Sequence, residues 1–505
     1  MKLLSRGLTI VVGLSILSCV STQTLAWHRH HHIYSVTHRH TVRTVTHYNA
    51  PSHIYGNQNL VAEINQILRR TNVDVGVQIK SMKTGEILYS RNEQHLYSPA
   101  SILKMLTAEA ALLFLGPDYK FPTKVVTDAK TKSNGVINGN VYVVQSGDPS
   151  LTYYDLTGLI VALKAQQIQT INGQLFVDNS AYDQVNYAPG WVWDDTRYCY
   201  AAPINAGIVN HNCVSFKIAP AKYSGQLASV IANPRYYLPS IQNSLITGSG
   251  RSCYMSLRPQ ANSTISLSGC MPKGYARGAS VVVTNVLQYD KSLIADLFKR
   301  YGIKVNGQVL FGTAPQSSYE LAVHESKPLH NLITQMLKKS DNIIAGSLLK
   351  KLGQLYSKQP GSWANGGNAV KQLLSKQASV DTSSMSIIDG SGLSRDNRVK
   401  PAQMMQLLNF AFHNYATSYE FISALPIAGV DGTLKHRLYN IARKVRAKTG
   451  TEAIEGVVSL AGYTVTKDKE PIAFVIIFNG KHGDIWKYRE IEDAIVTALT
   501  NYSRT

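Results

Sequence analysis

Apolar positions along this chain recur with two different periods, and the switches between them mark its elements. Leu60, Val61, Ile64, Ile67 and Leu68 fall at helical spacing, and Val73, Val75, Val77 and Ile79 then alternate as one face of a half-buried strand. Lys83-Thr84-Gly85 reads as the turn into a second strand over 86–90. An apolar run from Ser101 to Phe114 follows. Ser98-Pro99-Ala100 precedes it with cap and first-turn residue types, which puts Ser101 in the first turn of a long buried helix. Further on, Leu332, Ile333, Met336 and Leu337 carry one helical stripe and Ile343, Ile344, Leu348 and Leu349 another, with more helices over 370–374 and 404–412. Strands over 443–448, 456–463 and 472–478 and a helix over 486–499 close the chain, the helix packing its apolar side on the sheet.

Between these two periodic parts the character changes. Residues 121–320 are rich in Asn, Gly, Ser, Tyr and Val and contain no glutamate between Glu109 and Glu320. Asn138-Gly139-Asn140-Val141, Asn172-Gly173-Gln174-Leu175 and Asn306-Gly307-Gln308-Val309 repeat one phrase, and the last two follow helix-like segments. A repeated helix-turn-strand unit in a mostly β insert is the expectation. Its length of about 200 residues suits one or two small domains. The expected division is 1–26, 27–58, 59–120, 121–320 and 321–505, with 59–120 and 321–505 forming one α+β domain around the insert.

The N-terminus adds a compartment. Lys2 and Arg6 form a basic start, Leu8 to Val20 is apolar, and Thr24-Leu25-Ala26 supplies small residues, so residues 1–26 read as a secretory signal cleaved after Ala26 and the protein as exported to the periplasm. Leu17-Ser18-Cys19 partly resembles a lipid-attachment site, with a leucine that fits the pattern poorly. Cys199, Cys213, Cys253 and Cys270 remain after export, an even number that allows three connectivities. Sequence-local pairing favours Cys199 with Cys213 and Cys253 with Cys270. Residues 27–53 hold eight histidines, read as a flexible tether in preference to a metal site because nothing there fixes ligand geometry. Losing Lys2 and Arg6 takes the net charge from +20 to +18, which favours an anionic partner. Nucleic acid is set aside because no recognition motif occurs and the chain reads as exported. Bacterial cell wall and the anionic headgroups of a membrane surface, bound peripherally, are the partners expected.

Three short motifs carry chemistry: Ser101-x-x-Lys104, Ser340-Asp341-Asn342 and Lys448-Thr449-Gly450. The three-residue spacing lets the Lys104 amine reach the Ser101 hydroxyl, which is a poor nucleophile until a base takes its proton. A lysine in a dry site beside another cation has its pKa lowered toward that role. Lys83-Thr84-Gly85 has the letters of the third motif, but its place in the chain makes it a hairpin turn. Ser340-Asp341-Asn342 also reads as the cap of the helix that follows, and capping and chemistry are compatible there.

In this order the motifs match the signature of penicillin-recognising serine acyl enzymes. Ser101 and Ser340 are 239 positions apart (340 − 101), and that large insert resembles the low-molecular-mass class C penicillin-binding proteins, the D-alanyl-D-alanine carboxypeptidase/endopeptidases. The resemblance extends to Ser98-Pro99-Ala100, Gly147-Asp148-Pro149-Ser150-Leu151, Asp389-Gly390-Ser391-Gly392-Leu393-Ser394 and Gly429-Val430-Asp431-Gly432-Thr433-Leu434. It implies a transpeptidase-like, β-lactamase-like domain with a five-stranded antiparallel sheet, helices on both faces and a helical lobe. It also implies cleavage of D-Ala-D-Ala termini or of D-Ala to diaminopimelate crosslinks in peptidoglycan stem peptides, acylation by β-lactam antibiotics, and no metal or cofactor. Carried over by motif, Ser101 attacks, Lys104 accepts its proton and Ser340 relays a proton to the leaving amine. Asn342, Lys448, Thr449, Gly450 and Thr451 hold the substrate, and the backbone N–H groups of Ser101 and Thr451 form the oxyanion hole. The rival readings are a β-lactamase, against which the missing glutamate argues for class A, and a non-catalytic wall-binding or scaffold protein.

Overall fold

Segments from opposite ends of the chain share one antiparallel sheet. The computed structural model describes residues 58–504 apart from 131, 234–239, 249–252 and 261–263. The signal-peptide and His-rich readings, on residues 1–57, lie outside the described residues. In the sheet the order is Val445–Glu452, Val457–Val465, Pro471–Asn479, Asp74–Ser81 and Ile87–Arg91, every pair antiparallel. The alternating Val75, Val77 and Ile79 are fully buried, as expected for the inward face of such a strand. Gly85, at φ 78°, completes the turn between the two N-terminal strands, so Lys83-Thr84-Gly85 lies in a hairpin.

Both faces of the sheet are covered, which is why Val457–Val465 reads as a nearly continuous buried run. On one face the stripes of Gln58–Leu68 and Ile485–Asn501, including Leu60, Ile64, Ile491, Ile495 and Leu499, pack against Phe474, Ile476 and Phe478. On the other, Lys104–Leu115 lies within Leu329–Lys339, Asn342–Ser357, Trp363–Ala378 and Pro401–His413. Lys104–Leu115 is buried from Lys104 to Leu112, so even its polar positions need partners inside the protein. Glu109 accepts from Thr417 Oγ1 at 2.6 Å, and burial pushes its carboxyl up to about 7.

Among the described residues the insert builds four further sheets around a second core. The Asn-Gly phrases stack on one another there. Asn172 Nδ2 donates to Asn138 Oδ1 at 2.7 Å, and Asn306 Nδ2 donates to Asn172 Oδ1 at 2.8 Å. Parallel pairs continue the stack, with Leu175 opposite Val141 and Val309 opposite Leu175. Glycine is required because a Cβ on Gly173 would lie 2.2 Å from the Gly139 carbonyl oxygen. Helices Tyr153–Ala165 and Val286–Arg300 precede the second and third phrases, whereas the short strand Val136–Ile137 leads into the first. Cys199 is bonded to Cys213 and Cys253 to Cys270, the two sequence-local pairs.

Candidate active site

Ser101 lies in a 3-10 turn, Ala100–Leu103, which runs directly into Lys104–Leu115. The α-helical first turn expected from sequence is thus displaced, and Ser98 does not cap it. Tertiary contacts are the reason. Asn479 holds the Ser98 backbone through both of its amide atoms, at 2.9 and 3.1 Å. Gly392 packs so closely on the Ala100 carbonyl that a Cβ there would sit 1.9 Å from it. Ala100 takes φ 46°, a left-handed conformation uncommon for a residue with a side chain and typical of constrained functional loops.

Lys104 is fully buried and saturated with acceptors. Its Nζ donates to Ser101 Oγ at 2.9 Å, to Asn342 Oδ1 at 2.6 Å and to the Ser391 carbonyl at 2.7 Å. Burial lowers its pKa to about 7, and the charges of Asp389 and Asp341 keep it from falling further. An amine so placed can take a proton from the serine near neutral pH.

Ser340 and Asn342 come from a break between two helices. Ser340, left-handed at φ 58°, ends Leu329–Lys339, and Asp341 caps Asn342–Ser357 by accepting from the N–H groups of Ile343 and Ile344 at 3.0 and 3.1 Å. The cap and the polar cluster therefore coexist. Asn342 Nδ2 donates to the Tyr200 carbonyl at 2.8 Å.

Lys448-Thr449-Gly450 lies on the sheet's edge strand, where one backbone side is free of a neighbouring strand. Lys448 is fully buried and donates to Ser340 Oγ at 2.9 Å; burial and the nearby Lys104 charge push its ammonium well below the usual range. Thr449 Oγ1 donates to Thr433 Oγ1 at 2.7 Å. A Cβ on Gly450 would lie 3.0 Å from the Ser101 nitrogen and 2.9 Å from the Pro99 carbonyl, so glycine permits the close approach of strand and turn. Thr451 Oγ1 accepts from Arg489 Nη2 at 3.0 Å.

All eight predicted site residues are thereby gathered at one junction of turn, helix break and edge strand. A cleft of about 220 Å³ opens beside them, lined by Ser101, Asn342, Thr451, Tyr200, Arg395 and Glu452 among others. Four partners were not assigned to the site from sequence: the carbonyls of Ser391 and Tyr200, the Thr433 hydroxyl and the Asp389 carboxylate. Ser391, Asp389 and Thr433 fall in two of the four further phrases, Asp389–Ser394 and Gly429–Leu434, which are the available signal. Tyr200 is announced only by the adjoining Cys199.

The fold and this constellation define a class, the serine acyl-transfer enzymes built on the penicillin-binding architecture. The chain belongs to the D-Ala-D-Ala carboxypeptidase 3 (S13) family, whose model matches residues 58–502, and is a serine-type hydrolase of that class. It is similar to the D-alanyl-D-alanine carboxypeptidase DacB of Haemophilus influenzae, with 33% identity over 81% of this chain and 85% of the relative. The D-alanyl-D-alanine carboxypeptidase of Actinomadura sp. (strain R39) is 32% identical over 85% of this chain and 81% of the relative. The crystal structure of penicillin binding protein 4 (dacB) from Haemophilus influenzae superposes with a TM-score of 0.77 at 31% identity, covering 87% of this chain and 99% of that one.

Proposed function

We propose that Ser101 is the nucleophile that cleaves D-Ala-D-Ala termini and D-Ala to diaminopimelate crosslinks of peptidoglycan stem peptides, and that β-lactams acylate the same hydroxyl. The observation that carries this reading is Lys104 Nζ at 2.9 Å from Ser101 Oγ, with a pKa near 7. The Ser101 proton passes to Lys104 as Oγ bonds to the scissile carbonyl carbon. The oxyanion forms between the backbone N–H groups of Ser101 and Thr451, the latter one residue beyond the closely seated Gly450. Ser340, within hydrogen-bond reach of Lys448, relays a proton to the leaving amine as the C–N bond breaks. Water then hydrolyses the ester and restores Ser101. Asn342 holds the substrate backbone, while Lys448 and Thr449 hold its terminal carboxylate, with Thr433 orienting the Thr449 hydroxyl.

Residues 121–320 act as inserted domains that close one side of the cleft through Tyr200. Two disulfides support action outside the reducing cytoplasm, in the periplasm after cleavage near Ala26. Among the described residues no helix is long and apolar enough to cross a membrane. The basic balance suits an anionic wall, with peripheral contact to acidic lipid headgroups.

Labelling with a fluorescent penicillin tests the nucleophile: wild type labels and Ser101→Ala does not, and equal labelling of both would remove the assignment. Digestion of pentapeptide and crosslinked muropeptides, followed by mass analysis, tests the substrate and separates carboxypeptidase from endopeptidase products.

A further inference from the structure

The 3-10 helix Trp193–Arg197 has a cavity on each side. Val192 and Asp195 line the cleft beside Ser101, whereas Trp193, Asp194, Thr196 and Arg197 line a second groove of about 640 Å³. The groove's far wall comes from the insert, with Arg258 and Gln260 on one side and Asn285 at the start of Val286–Arg300 on the other. None of these residues is used in the reaction described above.

The chemistry of this groove is specific. Trp193 is 82% exposed and lines it, so a large apolar ring face is open to the groove. Amides and hydroxyls from Asn186, Gln260, Asn285 and Thr284 surround it, together with two guanidinium groups. Arg197 lies over the Tyr198 ring at 5.1 Å and Arg258 donates to Ser256 Oγ at 3.2 Å. An apolar face ringed by amide and guanidinium donors, with the Asp194 carboxylate as an acceptor among them, matches an N-acetylated sugar: the pyranose face covers the indole, the donors pair with hydroxyl, acetamido and lactyl-amide oxygens, and Asp194 accepts from a hydroxyl.

Geometry connects this groove to the cleft. The two cavities share this short 3-10 helix as their wall, with Asp195 on the cleft side and Trp193 and Arg197 on the groove side, so a few extended stem residues, about 3.3 to 3.6 Å each, lead from one to the other.

We infer that the groove beside Trp193 is a glycan subsite, which takes the N-acetylhexosamine end of the same peptidoglycan strand whose stem peptide lies at Ser101. The inference rests on the proposed substrate, but its first test is independent of turnover. The intact protein is titrated with a peptide-free N-acetylglucosaminyl-N-acetylmuramic acid disaccharide whose lactyl carboxyl is capped as its methylamide, the uncharged state it has in a peptide-bearing strand, followed by calorimetry and tryptophan fluorescence. Binding that Trp193→Ala and Arg258→Ala each weaken about tenfold is expected. Absence of binding to the wild type at millimolar disaccharide, or equal binding by Trp193→Ala, overturns the subsite whatever the fate of the catalytic reading. In turnover, Trp193→Ala is expected to raise KM about tenfold for a disaccharide pentapeptide while leaving a sugar-free pentapeptide unaffected. An equal loss on both substrates counts against the subsite. Failure of the wild type to cut either peptide, with disaccharide binding intact, would remove the proposed reaction and leave the subsite standing.

Discussion

Lys448 Nζ donates to Ser340 Oγ across 2.9 Å, although 108 positions separate them in sequence. The contact joins an edge strand to a helix break, and it gives the Ser340 hydroxyl a fixed donor so that its own proton is free to move toward a leaving amine. Ser340→Ala should lower kcat for D-alanine release from a pentapeptide by about 10² to 10⁴-fold, the range for a positioned proton-transfer group. D-Alanine release at saturating substrate measures it, and an unchanged kcat would remove Ser340 from the relay.

The acylation rate should depend on the Lys104 amine losing its proton. Burial brings its pKa to about 7, so the rate of penicillin acylation should climb about tenfold per pH unit below 7 and level off above it. A flat profile between pH 5.5 and 8.5 would exclude this lysine as the base. Lys104→Met, which keeps the apolar stem and removes the amine, should abolish the rise.

Stability carries a separate pH signature from Asp290. Its carboxyl is fully buried, accepts from Gln145 Nε2 at 3.0 Å, and is raised by burial to about 7. Because the folded pKa lies above the unfolded one near 4, the folded state holds more protons between these values. This contribution is fully present below about pH 4 and is lost as pH rises through 7. Thermal unfolding of Asp290→Asn should therefore gain on wild type as pH increases from 5 to 8; a constant difference in Tm would refute the assignment.

The Cys199–Cys213 bond closes a loop of sequence separation 14, and Tyr200 within that loop accepts from Asn342 Nδ2 at 2.8 Å. Replacing both cysteines with serine should cost about 3 kcal/mol in denaturant unfolding and slow acylation as well. An unchanged acylation rate would show that the bond does not hold the cleft wall.

Thr433→Val removes the acceptor of the Thr449 hydroxyl, a 2.7 Å hydrogen bond. A net loss of about 1 kcal/mol corresponds to a rise of about fivefold in KM, with kcat little changed. Steady-state kinetics separates the two parameters, and a fall confined to kcat would place Thr433 in the chemical step instead.

Local pattern was enough for the parts of this protein where the neighbour that matters lies a few residues away. The 3.6 and 2 periods marked the helices and strands of the first and last segments, because the buried face of such an element repeats in its own sequence. The spacing of Ser101 and Lys104 likewise placed an amine near a hydroxyl, and Asp341 announced its cap. Tertiary structure decided what depends on chain segments meeting from afar. Ala100 is left-handed and Ser101 sits in a 3-10 turn because Asn479 and Gly392 hold the backbone there, against the local preference for an α-helical start. The third acceptor of Lys104, a main-chain carbonyl at Ser391, has no side-chain signature, since any residue type supplies a carbonyl. The exposed Trp193 was equally silent in sequence, and only the packing of the insert beside the cleft put guanidinium and amide groups around one groove with it.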